Sequence, residues 1–239
     1  MKSVHFTLQG KGGVGKSYIS SLITQYLMHK EMSVIAIDTD PVNSTLAGYK
    51  ALNAELLPLL KEGVIDERRF DQLMERIVTE DSHFVVDNGA SSFIPLSNYL
   101  TENEAINVLS EHGKQVYIHT IITGGQALSD TLTGFSALAR FMPEQARLVV
   151  WLNEYFGEIE IGGKSFEHLD PYKAHRDKIF ALLTIQKQTS ATFGQDVKEL
   201  LDKKMTFDEV NMSEAFNLMS KSRLNRIKTQ LFDQLAVVL

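Results

Sequence analysis

The chain has 239 residues, 44% of them apolar and 23% charged, which is enough for one large α/β domain with a substantial core. It contains no cysteine, and that excludes disulfides, iron–sulfur clusters and thiolate zinc sites. The formal charge of -6 is uneven: residues 171–239 hold 11 basic and 8 acidic groups and the remainder 13 and 22, so an anionic partner is expected to meet the C-terminal third.

In chain order, Met1 to Gln9 lacks a cleavable signal pattern, and Val4 to Leu8 within it is a run of β-formers. A glycine-rich turn follows, then the amphipathic stretch Ser17 to Lys30, with Ile19, Leu22, Ile23, Tyr26 and Leu27 at helical spacing. Ser33 to Asp38 is a second strand, nearly all apolar as a central parallel strand covered on both faces must be. Further buried strands are predicted at 84–87, 115–122, 147–152 and 178–183, with helical patterns at about 66–79, 96–112, 126–141 and 190–204. This alternation predicts right-handed βαβ crossovers and a doubly wound, mainly parallel sheet in a single three-layer αβα domain over 1–239. Residues 157–167 alternate around Gly162-Gly163 and predict an inserted hairpin. Residues 213–238 predict a terminal helix with Ser213 as N-cap and Leu224, Ile227, Leu231, Leu235 and Val238 on one stripe. No stretch reaches the roughly 18 to 20 apolar residues of a membrane span, and a cytoplasmic location is expected.

Gly10-Lys11-Gly12-Gly13-Val14-Gly15-Lys16-Ser17 fits G-x-x-x-x-G-K-[ST] at every position, directly between a predicted strand and a predicted helix. Glycines let successive backbone N–H groups curl around a phosphate, and the helix N-terminus adds positive potential. Lys16 is then expected to reach β- and γ-phosphate oxygens and the Ser17 hydroxyl to ligate Mg²⁺. Tyr18, next in line, completes the nucleotide-binding set. Nothing matches the N-K-x-D segment that reads guanine, which favours ATP.

The form Lys-Gly-Gly-Val-Gly-Lys-Ser, with Lys11 as a second lysine, resembles the deviant Walker A loop of the ParA/MinD family of dimerising ATPases. The resemblance implies that Lys11 reaches across a homodimer interface to the partner's ATP; within one chain the alternative is a solvated loop lysine. Ile37-Asp38-Thr39-Asp40-Pro41 is similar to the family's D-x-D-P switch, which implies that Asp40 orients the attacking water while Asp38 stands behind Mg²⁺ and Ser17. Val42-Asn43 stands where the family often has Gln after the proline. Phe84-Val85-Val86-Asp87 has the apolar-strand-then-aspartate form of a Walker B element, with Asp87 holding Mg²⁺ through water. Asn153 ends a late strand where relatives use Asn to read adenine, and a plain strand-ending Asn is the other reading.

Segments 8–17, 37–45 and 48–53 are together similar to the plasmid-borne ParA-like ATPases of the TraL/StbB type, which implies a role in conjugal transfer or plasmid stability with a partner protein of such a system. The nine residues before the loop leave no room for the DNA-binding extension of some partition ATPases, so specific operator binding is not expected. Lys221, Arg223, Arg226 and Lys228 flank the terminal stripe. Three readings stand for that helix: a packed element with a solvated basic edge, a nonspecific DNA or polar-protein contact, and a membrane-surface helix. A P-loop kinase and a cofactor- or metal-insertion ATPase remain the alternative functions; no arginine-rich lid marks the former.

Overall fold

The computed structural model describes residues 1–40, 43–57, 59–61 and 64–239. Seven strands form the central sheet: β1 (Lys2–Thr7), β2 (Val34–Asp38), β3 (Glu55–Leu56), β6 (His83–Asp87), β7 (Lys114–Thr123), β8 (Ala146–Asn153) and β11 (Ile179–Ile185). Two short antiparallel pairs stand apart, β4 (Leu60–Lys61) with β5 (Val64–Ile65) and β9 (Glu160–Ile161) with β10 (Lys164–Ser165). The order is β11-β8-β7-β1-β6-β2-β3, and every neighbouring pair in it is parallel. β1 therefore lies inside the sheet with strands added on both sides, as a doubly wound topology requires. Gly162 and Gly163, both at positive φ, make the turn of the second pair within the segment expected to form a hairpin.

Alternation along the strands feeds two cores. Val4, Phe6, Phe84, Val86, Val116 and Ile118 point to one face, covered by α2 (Glu67–Thr79), α3 (Phe93–Glu102), α4 (Ala105–Glu111) and α5 (Leu128–Phe141), with Tyr172 of α6 (Asp170–His175) at its edge. Val85, Tyr117, Ile121, Val149 and Trp151 point to the other, covered by α1 (Lys16–His29), α7 (Phe193–Asp202), α8 (Phe207–Met212) and α9 (Leu218–Val238).

Two helices differ from expectation. The predicted helix over 96–112 is two, because Asn103 ends α3 and Glu104 at φ 48 turns the chain before α4. The terminal helix begins at Leu218, not at Ser213. Ser213 instead ends α8, and the Asn217 side chain caps α9 by accepting the Ser220 N–H at 2.9 Å. The five stripe residues, Leu224 to Val238, are all buried against the sheet. Gln234 on the same helix donates to the Thr184 carbonyl (3.0 Å) and accepts the Thr184 N–H (2.7 Å), pairing both backbone groups of that residue on the outer edge of β11. At the opposite edge β3 is two residues long, and its Glu55 is held by Arg76, which also binds Glu80.

A polar chain crosses the second core from β8 to β6. The Trp151 Nε1–H can only donate, so it fixes Nδ1 of His119 as acceptor at 3.1 Å. His119 Nε2 then donates to His5 Nδ1 (3.0 Å), His5 Nε2 to Ser3 Oγ (2.7 Å), and the Ser3 hydroxyl to His83 Nδ1 (2.7 Å). The Ser3 backbone N–H also points at that His83 nitrogen, at 3.1 Å, confirming it as an acceptor. All three imidazoles are neutral. Burial pushes His119 down to about 3 and, with the neighbouring histidines, holds His5 well below the usual range.

Unfolded histidines titrate near 6.5, so below that pH the unfolded chain binds protons that buried His5 and His119 do not. Stability present at neutral pH is therefore lost as pH falls, by about 1.4 kcal/mol per pH unit for each. The expected result is that the Tm of the wild type falls more steeply from pH 7 to 5 than that of a His5→Leu/His119→Leu variant, whose Tm starts lower. Parallel profiles would contradict the neutral chain.

Candidate functional site

The parallel topology brings the C-terminal ends of β1, β2, β6, β8 and β11 to one rim, where ligand sites of open α/β sheets lie. Gln9 prepares the loop that follows β1. Buried at 1% exposure, it donates through Nε2 to the carbonyls of Ile121 (2.8 Å) and Thr131 (3.2 Å), while its Oε1 accepts the N–H of Gly10 (2.8 Å). Gly13 (φ 73) and Gly15 (φ 103) adopt left-handed backbone that a side chain would strain. Gly15 forms the N-cap of α1 and passes so close to Asn153 that a Cβ there would lie 2.9 Å from its Nδ2.

A cleft of about 840 Å³ opens over this loop. Gly12, Gly13, Gly15, Lys16, Ser17 and Tyr18 line it together with Asp40, Asn43 and Tyr49, and so do Asn153, Tyr155 and Phe156. Lys16 is 8% exposed, and its Nζ donates to the Lys11 carbonyl at 2.9 Å. Burial lowers its pKa, and Asp87 and Asp40 work against that. Lys11 lies outside the cleft. Its Nζ meets Asp130 Oδ2 of α5 at 2.7 Å, on the exposed side of the loop. Gly10 packs against the Phe93 ring, and the Val14 side chain is buried in the second core while its carbonyl faces Asn153.

Behind the loop sit the two buried aspartates. Asp87 is pushed up to about 7, first by burial; the hydroxyls of Ser17 and Ser20 hydrogen-bond its carboxylate and hold the value down, while nearby Asp38 raises it. Asp38 is fully buried, and its oxygens accept the N–H groups of Asp40 (3.0 Å) and Ala47 (2.9 Å), tying down both ends of the loop after β2. Burial raises its pKa against those two hydrogen bonds. Asp40 is held by Asn43, whose Nδ2 donates to Oδ2 at 3.0 Å, and a Cβ on Gly89 would lie 2.9 Å from its Cγ. Pro41 and Val42 of the D-x-D-P segment lie outside the described residues.

Two adjacent buried carboxylates with a serine hydroxyl between them and the cleft are the donor chemistry of a magnesium site. Among the described residues no three histidine or carboxylate side chains converge to make a cage. A cation at Ser17 would complete its shell with phosphate oxygens and water, as Mg²⁺ does. Sequence reasoning did not single out Gln9, Ser20, Tyr49 or Asn88. Asn88 donates to the carbonyls of Val86 (3.2 Å) and Thr7 (3.4 Å) and accepts from Thr39, stitching β1, β2 and β6 together below the loop.

A glycine loop closing on a lysine at a helix start, backed by strand-end aspartates on a parallel sheet, defines a P-loop nucleotide-binding domain. Residues 6–224 match the CobQ/CobB/MinD/ParA nucleotide binding domain, and the chain belongs to that family. It is 45% identical over 235 residues, 98% of each chain, to Protein TraL of Escherichia coli, and a second Escherichia coli Protein TraL is 46% identical over the same share. The fold is similar to that of a plasmid partition protein of Borrelia burgdorferi B31 bound to AMPPNP, at 15% identity and TM-score 0.56 over 100% of both chains. It is also similar to a chain of the MinC:MinD cell division protein complex of Aquifex aeolicus, at 14% identity and TM-score 0.53, covering 97% of this chain and 96% of that one. Among the described residues no helix is long and apolar enough to cross a membrane.

Proposed function

We propose that this chain is an ATP-dependent dimerising switch ATPase acting in plasmid conjugal transfer or plasmid partition and stability. The observation that carries the reading is the opposite placement of the two loop lysines: Lys16 lines the cleft, and Lys11 stands outside it on Asp130. Lys16 serves the phosphates of its own protomer, and Lys11 is left to serve those of a second copy. The AMPPNP of the Borrelia burgdorferi partition protein supports an adenine nucleotide in the cleft, and the likeness to Protein TraL supports the plasmid role.

Backbone N–H groups from Gly12 to Ser17 and the Lys16 ammonium bind the phosphates. Ser17, with Asp87 and Asp38 behind it, would hold Mg²⁺, which would supply charge neutralisation to the phosphates. Asp40 orients the water that attacks the γ-phosphate, and slow hydrolysis, stimulated by a partner protein, returns the dimer to monomers. The basic edge of α9 is largely engaged within the chain: Arg223 binds Asp196, Lys228 binds Asp208 (2.6 Å), and Lys221 donates to the Asn211 carbonyl (3.0 Å). Direct DNA contact there is therefore weak and nonspecific.

Size-exclusion with light scattering in ADP, ATP and a nonhydrolysable analogue, with and without plasmid DNA, tests the reading. The wild type is expected to dimerise only with the triphosphates, and Lys11→Ala to bind ATP yet stay monomeric. A wild type that stays monomeric throughout and passes phosphate to an added metabolite would overturn the switch in favour of a kinase.

A further inference from the structure

We propose that Asn43 and Gly89 are positioning residues for hydrolysis, which fix the aim of the Asp40 carboxylate from the loops after β2 and β6; this deepens, and rests on, the role given to Asp40 above. The sheet itself brings the two loops together. β2 pairs with β6 so that Asp38 stands opposite Asp87, and two further residues in that register set Asp40 beside Gly89. Thr39 carries the pairing past the strand ends. Its N–H and its hydroxyl both reach the Asp87 carbonyl at 2.9 Å, and the hydroxyl also lies 3.0 Å from Asn88 Oδ1. Asp40 is thus delivered to its place by a ladder that neither loop makes alone.

Asn43 then sets the plane of the carboxylate. Its backbone N–H donates to Oδ1 at 3.3 Å and its side-chain Nδ2 to Oδ2 at 3.0 Å, a two-point grip closed by the Ser44 N–H (3.0 Å) and hydroxyl (3.1 Å) on the Asp40 carbonyl. A carboxylate accepts in roughly four directions, so gripping it at two sets the directions of the others. Asn43 is exposed and lines the cleft, so its side chain serves the site and not the core. Gly89 bounds the carboxylate from the other side. Its backbone, at φ -62 and ψ 155, suits any residue, so no turn requires a glycine here. What requires it is Asp40: a Cβ on Gly89 would lie 2.9 Å from Cγ, 3.0 Å from Oδ2 and 3.2 Å from Cβ of that side chain. A methyl group there would push the carboxylate off its line, and misplacing a reacting or positioned group by about 1 Å costs on the order of 100-fold in rate.

The test compares single-turnover phosphate release with ATP affinity, the latter by calorimetry, in the full chain. Asn43→Ala and Gly89→Ala are each expected to slow release about tenfold or more with ATP affinity unchanged, and Asn43→Gln, which keeps the amide donor, to recover part of the rate. Both positions act through one carboxylate, so in an Asp40→Ala background neither substitution is expected to slow release further. A role confined to holding the loop would slow it in either background. Wild-type or faster release from either single variant, a loss matched by weaker ATP binding, or a loss that persists in the Asp40→Ala background would overturn the assignment. Asp40→Ala releasing phosphate at the wild-type rate would instead remove the role of Asp40 beneath it.

Discussion

Lys16→Ala is expected to weaken ATP binding on the order of 100-fold, about 2.7 kcal/mol. Lys16 is already desolvated and lines the cleft, and among the described residues its Nζ donates to a neutral carbonyl, that of Lys11. Triphosphate oxygens replace that weak acceptor with charged ones, where a lysine hydrogen bond is roughly twice as strong. The alanine variant removes a buried cation, so its ligand-free Tm is expected to stay near the wild-type value. Calorimetry with ATP and a thermal scan without it together check the prediction; near wild-type affinity in a folded variant would place the phosphates elsewhere.

Asp40→Ala has the second largest effect and a different signature. Phosphate release is expected to drop on the order of 100-fold while ATP still binds, so dimers formed with ATP persist as long as those formed with a nonhydrolysable analogue. The two aspartates at the end of β2 and just beyond it are built for different work. Asp38 is sealed in and holds the Asp40 and Ala47 backbone, whereas Asp40 lines the cleft with its carboxylate between Asn43 and Gly89. Removing Asp40 therefore leaves the loop anchored. Dimers that decay on the wild-type time course would assign the water to another group.

The parts readable in the sequence are those whose chemistry is contiguous. The eight residues from Gly10 to Ser17 carry their own geometry, and the apolar runs ending at Asp38 and Asp87 announce neighbouring parallel strands. What holds those pieces in place is not contiguous. Gln9 reaches Ile121 and Thr131, and Asn153 reaches Val14 across 139 positions, so neither role exists until the sheet closes. The break before α4 rests on one non-glycine residue in left-handed backbone, Glu104, which no periodicity reports. The start of α9 at Leu218 is hidden from the sequence for a similar reason. Both Ser213 and Asn217 are good capping residues, and the choice between them is made by Phe216, buried at the turn between α8 and α9.

The amide of Gln234, paired with both backbone groups of Thr184, acts as a surrogate neighbour for the last strand of the sheet. The far side is reduced to a two-residue strand under a salt-bridged arginine, so a foreign segment meets a row interrupted at Thr184 on one margin and a short one on the other. In the dimer proposed above, copies meeting through the loop rim about a twofold axis would use up that surface in a single encounter, and such an assembly would stop at two.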